Sequence, residues 1–315
     1  TLLAKRARAE KARQANRRPH EVHYFHQVDD PYSYLLTQSL PRLLARYNIE
    51  LIPHVVSPPP DSAAPEREKL VAYSRVDAAL LAQRHGLNFT DPKCQPDAQR
   101  CAQAKYTLVA AISAGQFGEH AAAVGQWLWT GDETQVPPQQ FNGLKPVSNE
   151  EVKTHIAQAD ALRQKLGHYL GGMLYYAGEW YWGIDRLYHL EQRLQELGAQ
   201  RDGASGVSGS VLFAPDDGLA CEAKALNNPP AIDFFFSFRS PYSAIVAPRV
   251  FEMARQTGAK VNLRYVLPMV MRGLPVPKVK REYIVLDTAR EAHCRNIPFG
   301  RLNDPVGKPT ERGLA

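Results

Sequence analysis

EVHYFHQVDDPYSYLL at residues 21–36 and AIDFFFSFRSPYSAIV at residues 231–246 align without a gap when the chain is shifted by 210 positions. Phe25 then falls on Phe235, and Pro31-Tyr32-Ser33 on Pro241-Tyr242-Ser243. The register persists: Val56 and Pro58 meet Val266 and Pro268, while Tyr73, Asp77, Ala79, Ala82 and Phe89 meet Tyr283, Asp287, Ala289, Ala292 and Phe299. So many type-specific matches at one offset indicate a tandem duplication of a domain-sized unit, since the period is far longer than that of a solenoid repeat.

Each copy opens with an apolar strand, Val22 to Val28 and Ile232 to Phe238. The FFF run of the second copy suits a strand buried on both faces. Asp30-Pro31 and Ser240-Pro241 then supply an N-cap residue followed by proline at the first helical position, where a missing N–H costs nothing. A second strand, Glu50 to Val56 or Lys260 to Val266, makes a right-handed parallel crossover with the first. A further helix carries Tyr73 and Asp77, or Tyr283 and Asp287, four apart on one face, a spacing that suggests a shared packing role. Residues 91–166 read as a large helical insertion broken by turns such as TGDETQVPPQQ. Met173 to Ala177 and Glu179 to Trp182 form a hairpin about Gly178, and IDRLYHLEQRLQEL is the closing helix.

The expected organisation is therefore a basic helical arm over 1–19, an α/β domain over 20–198, a linker over 199–230 and the N-terminal half of a second domain over 231–315. The second copy lacks the hairpin that would cover its sheet edge, so the natural chain is expected to continue, or another chain to supply the rest.

Composition narrows the function classes. With 44% hydrophobic and 22% charged residues, and no run of about 20 apolar residues, the chain reads as globular without a membrane span. The net charge of +6 is concentrated in TLLAKRARAEKARQANRR at the N-terminus, which reads as a solvated extension, with a docking or nucleic-acid arm as the alternatives. The modest excess of base over acid gives no reason to expect nucleic-acid binding. Cys94, Cys101, Cys221 and Cys294 include no Cys-x-x-Cys pair and no zinc spacing, so no metal is expected, and a reducing, cytoplasmic compartment fits. The start at Thr1 leaves a removed leader open. Cys94 and Cys101, seven apart, are two unrelated thiols or a regulatory pair, and His23 and His26 point to opposite faces of their strand.

A strand leading to S-P-Y-S, a large helical insertion and a closing W-G-x-D-R-L resemble the DsbA-like thioredoxin superfamily, nearest its 2-hydroxychromene-2-carboxylate isomerase and kappa-class glutathione transferase branch. The resemblance implies an α/β thioredoxin-like fold, glutathione as cofactor, and isomerase or transferase chemistry on a small aromatic or conjugated substrate. It makes Ser240 the catalytic residue that contacts the glutathione sulfur. Pro241, Tyr242, Lys280, Asp185, Arg186 and Gly171 become binding positions. A hydroxyl donor at the positive end of a helix favours thiolate over thiol.

Two departures mark the first copy. Asp30 occupies the serine position, where a carboxylate repels a thiolate, so the site of Asp30, Tyr32 and Gly172 reads as degenerate. Gly171-Gly172 also replaces the cis-proline that precedes the hairpin in the family.

Local readings stand beside these. Asp30 and Ser240 are good N-caps whatever else they do, and Asp185 can serve the helix dipole alone. Tyr32 and Tyr242 read as cleft-wall or core aromatics, and Trp127, Trp129, Trp180 and Trp182 as core or as an aromatic pocket. The alternatives in function are a thiol–disulfide oxidoreductase, although both helix-start motifs lack cysteine, and a non-catalytic binding or scaffold protein. The two copies could pair within one chain, or the chain could form a homodimer.

Overall fold

The computed structural model describes residues 2–130, 143–201, 210–215 and 227–314. The chain divides into two compact units, Thr1–Pro215 and Asp216–Ala315. Most of the TGDETQVPPQQ turn, Cys221 and much of the segment read as linker lie outside the described residues.

Unit 1 begins with helix α1 (Leu2–Ala15) and continues through β1 (His20–Gln27), α2 (Pro31–Arg46), β2 (Ile49–Val56) and α3 (Arg67–His85). Helices α4 (Ala98–Ser113), α5 (Phe117–Thr130) and α6 (Asn149–Lys165) follow before β3 (Met173–Tyr176), β4 (Glu179–Trp182), a 3₁₀ turn at Ile184–Arg186 and α7 (Leu187–Glu196). The sheet order is β2-β1-β3-β4, with β1 and β2 parallel from His20↔Ile49 to Gln27↔Val56, and β3 antiparallel to both neighbours. This mixed α/β architecture agrees with a thioredoxin-like fold.

The central strand β1 is covered on both faces, which is why five of its last six residues are fully buried and apolar or aromatic in large part. On one face Tyr24 and His26 meet Phe117 of α5, and on the other Phe25 stacks on His54 and Trp180. Helix α6 closes the open edge of β2. Its His155 Nε2 accepts from the Val55 N–H at 3.1 Å, and Asp160 Oδ1 accepts from the Ser57 N–H at 3.0 Å, so edge groups that would otherwise template aggregation are paired. A capping box of Ser148 and Glu151 fixes where α6 starts.

Two expectations need adjusting in this unit. The basic arm is helical but does not stand free in solvent, because Arg6 makes a bidentate ion pair with Glu179 at 2.7 and 2.9 Å, and Glu179 also receives the buried Arg193 at 2.8 Å. The start of the segment read as linker packs on unit 1: Gln200 bridges Tyr47, and Phe213 is buried beneath Arg42 and beside His85.

Unit 2 contains β5 (Ala231–Phe236), α8 (Pro241–Thr257), β6 (Lys260–Tyr265), a 3₁₀ turn at Met269–Arg272, α9 (Lys278–Cys294) and α10 (Lys308–Leu314). Its described sheet has two parallel strands paired from Ala231↔Lys260 to Phe236↔Tyr265. The expectation that the FFF strand is buried on both faces fails here. Phe234 and Phe236 pack with Phe251 and Phe238, whereas Phe235 is 65% exposed, because among the described residues only β6 flanks β5 and no element covers its second face.

Among the described residues no helix is long and apolar enough to cross a membrane, and no group of three or more potential ligands could hold a metal. Cys94, Cys101 and Cys294 are free thiols.

Candidate functional site

The chain leaves β1 through a turn in which the Asp30 N–H donates to the Gln27 carbonyl at 3.2 Å. Asp30 keeps extended backbone angles and caps α2, with Pro31 taking the first helical position. Its Oδ2 accepts from the Ser33 N–H at 2.9 Å and from the Ser33 hydroxyl at 2.7 Å, while Ser33 Oγ accepts from the Gln27 N–H at 3.1 Å. Burial pushes the Asp30 carboxyl up to about 6, against the opposing pull of the bonds from Ser33. The helix N-terminus of unit 1 is thus already occupied by an acid of its own chain.

Gly171 and Gly172 press against that turn. A Cβ at Gly171 would lie 2.3 Å from the Gln27 Cβ, and Gly172 has φ +62° with only 2.9 Å between a would-be Cβ and Asp30 Oδ2. No cis peptide occurs among the described residues, so the backbone passes the helix start as a tight glycine pair. The Gly183 N–H donates to the Gly172 carbonyl at 2.9 Å, which brings the W-G-I-D-R segment alongside. Asp185 sits in the 3₁₀ turn, half exposed, and pairs with Arg186 at 2.9 Å.

Tyr32 forms the remaining wall. Its ring meets Trp182 edge-on at 5.7 Å, and its hydroxyl donates to Asp77 Oδ2 at 2.8 Å. Burial and the Asp77 carboxylate raise its pKa, so the phenol stays protonated. Of the four tryptophans only Trp182 faces this site. Trp127, Trp129 and Trp180 are buried, with Trp129 against Phe89 and Trp180 against Phe25 and His168.

Unit 2 carries a related arrangement on its own elements. Ser240 caps the seventeen-residue helix α8 from an extended conformation, its Oγ accepting from the Ser243 N–H at 3.3 Å, with Pro241 at the first helical position. Ser243 Oγ accepts from the Ser237 N–H at 3.4 Å, and Tyr242 donates to Asp287 Oδ2 at 2.7 Å. Asp287 is fully buried and also receives Arg290 at 3.0 Å. Next to the cap, Arg239 makes a bidentate pair with Asp304 at 2.9 Å. Lys280 lies in the first turn of α9, where partial burial lowers its ammonium pKa.

Asp77 and Asp287 are the site residues that pattern reading undervalued. A shared packing role does not describe them, since each is the acceptor for the tyrosine of the P-Y-S motif. The signal was present: both members of the pair recur together at the 210-residue offset. His23 and His26 do point apart, His23 towards His54 (Nδ1 to Nε2 2.9 Å) and His26 towards Phe117.

A cavity of about 320 Å³ lies away from this site, between α1 and β3, lined by Arg13, His23, Tyr175 and Tyr176 among others. Its arginines are satisfied locally, Arg13 by Glu10 and Arg18 by Glu21. The thiols give no redox centre at either helix start. Cys101 is half-buried, and burial pushes its thiol up to about 11, which keeps it out of the reactive thiolate form at neutral pH.

No family model matches the sequence, and no curated protein matches it. Among solved structures, the chain is similar to a selenomethionine form of 2-hydroxychromene-2-carboxylate isomerase, at 16% identity and a TM-score of 0.43, over 56% of this chain and 96% of that one.

Proposed function

We propose that the chain is a tandem thioredoxin-fold protein acting as a glutathione-dependent isomerase or transferase of the 2-hydroxychromene-2-carboxylate isomerase type, with Ser240 as its catalytic residue. The observation that carries this reading is the contrast between the two helix starts. Asp30 fills its own N-terminus with a carboxylate held at 2.7 and 2.9 Å, whereas Ser240 presents a neutral hydroxyl with one long bond at 3.3 Å. That hydroxyl has a proton to give. Donated to a thiol sulfur at the positive end of α8, it stabilises the thiolate.

The substrate class that suits such a thiolate is a small aromatic or conjugated molecule. The sulfur adds to the conjugated C=C bond, its π electrons moving onto the conjugated oxygen; the resulting single bond rotates; the electrons return and the C–S bond breaks, releasing the thiolate unchanged. Lys280, Tyr242 and Pro241 would lie on the glutathione side of this site, and Asp185, Arg186 and Gly171 belong to the closing segment of unit 1. The free thiols suit a reducing compartment, and we assign the protein to the cytoplasm.

Calorimetric titration of the full chain with glutathione tests the reading, with Ser240→Ala and Ser240→Gly alongside. Glycine is tolerated as an N-cap at a cost of only a few tenths of a kcal/mol, so that variant separates loss of the hydroxyl from loss of the helix. Binding weakened at least tenfold in both variants is expected; absence of binding to the unsubstituted chain refutes the proposal. A non-catalytic binding role is the second reading, favoured by the self-capped site at Asp30, and a stable complex indifferent to glutathione would support it.

A further inference from the structure

Helix α3 is one-sided in an unusual way. Ser74, Ala78 and Ala82 face the core, and the opposite side exposes Leu70, Tyr73, Val76 and Leu80 at 40, 63, 47 and 61%. Tyr73, Val76 and Leu80 follow the 3-then-4 spacing of a helix–helix seam, at positions where a solvated helix would carry charge. The charge that α3 does carry is segregated: Glu66 and Glu68 are exposed at its start, and Arg84 is exposed at its end with His85 beside it.

We propose that this stripe is the interface of a homodimer in which α3 packs antiparallel against α3 of a second copy, about a two-fold axis near Val76. This proposal is independent of the glutathione reading. In that register Leu70 of one copy faces Leu80 of the other, Val76 sits near the axis, and Glu66 and Glu68 lie against Arg84 at both ends. A parallel arrangement would set acid on acid and base on base. Antiparallel packing also opposes the helix dipoles favourably. Self-complementarity of this kind is what a two-fold contact demands, since one surface must supply both halves of every pair. It is why the occupant is a second copy and not an unrelated protein. One helix pair buries less than the roughly 1,200 Å² of a standard stable interface, so the association is concentration-dependent.

Sedimentation velocity of the full chain across a wide concentration range is the test. A reversible monomer–dimer equilibrium is expected, with the dissociation constant raised at least tenfold by Leu80→Glu, a change at an exposed position that leaves the fold intact by circular dichroism. Glu68→Arg alone and Arg84→Glu alone should each weaken the dimer, and the combination should restore it. A chain that stays monomeric at every concentration overturns the proposal. So does a dimer indifferent to Leu80→Glu, or a double charge swap no better than the single ones, since those outcomes place association on another face.

Discussion

The Tyr32 hydroxyl donates to Asp77 at 2.8 Å, and 210 residues later Tyr242 donates to Asp287 at 2.7 Å, so the same bond ties the helix after the first strand to the helix after the second in both units. The bond anchors the P-Y-S motif from below and leaves the cap residue, Asp30 or Ser240, as the variable element.

Loss of that anchor should be measurable where the acceptor is deepest. Asp287 is completely buried, so Tyr242→Phe removes one of its donors without altering shape and should destabilise unit 2 by about 1–3 kcal/mol. Urea denaturation of the full chain, followed by probes in each unit, is the measurement. A variant with unchanged midpoint would mean that Arg290 alone satisfies the carboxylate.

Asp30 should carry a pH signature of opposite sign to an ordinary salt-bridged acid. Its folded pKa of about 6 lies above the usual 3.8, so the native state holds more protons than the unfolded chain between those values, and its contribution to stability falls as pH rises through that window. Asp30→Asn keeps an acceptor for the Ser33 N–H while removing the charge. The variant should melt higher than the parent at pH 7.5 and lose that advantage at pH 4. The same difference in melting temperature at both pH values would contradict a buried, destabilised carboxylate.

The thiols give a chemical test of why redox exchange is not favoured. Alkylation at pH 8 followed by peptide mass mapping should modify the exposed Cys94 at least tenfold faster than Cys101, whose thiol is held near 11 by burial. Rapid, equal labelling would reopen the oxidoreductase alternative.

Strand, helix start and crossover were all legible in the sequence because each rests on a local rule: period, cap and proline placement act within a few residues. The helix boundary at Pro31 follows from Asp30-Pro31 alone, and the α6 start from Ser148 and Glu151. What could not be read locally was set by distant partners. The FFF strand has the composition of a doubly buried strand, yet Phe235 is exposed because burial depends on what lies across it. The basic arm has the composition of a solvated tail, but the acid that holds Arg6 is Glu179, 173 residues away. At the site, Asp30 and Ser240 were recognisable as caps, whereas the carboxylate's rise towards 6 required Gly172, which lets the backbone pass close enough to bury it.

The histidines make the final prediction. The single proton of the Tyr24 hydroxyl goes to the Ser33 carbonyl at 2.7 Å, so the His26 contact at 2.9 Å must run the other way, with His26 Nδ1–H donating to the Tyr24 oxygen. His26 is therefore the neutral Nδ1–H tautomer, and a proton could be added only at Nε2, inside the core. Burial lowers its pKa to about 3, and it lowers His168 to about 3 and His54 to about 4. The unfolded chain binds protons at these positions below about 6.5 while the folded chain does not, so stability is complete above pH 6.5 and is lost as pH falls towards 3. At pH 4 the cost from His26 is on the order of 3 kcal/mol, from about 1.4 kcal/mol per pH unit over the interval below 6.5. Unit 1 should accordingly show a steep acid transition between pH 6 and 4, steeper than carboxylate titration alone provides. His26→Gln, which still offers a donor to Tyr24, should flatten that part of the curve while lowering stability at pH 7.5. A parent protein whose unfolding free energy is constant from pH 7 to pH 4 would refute the buried neutral assignment.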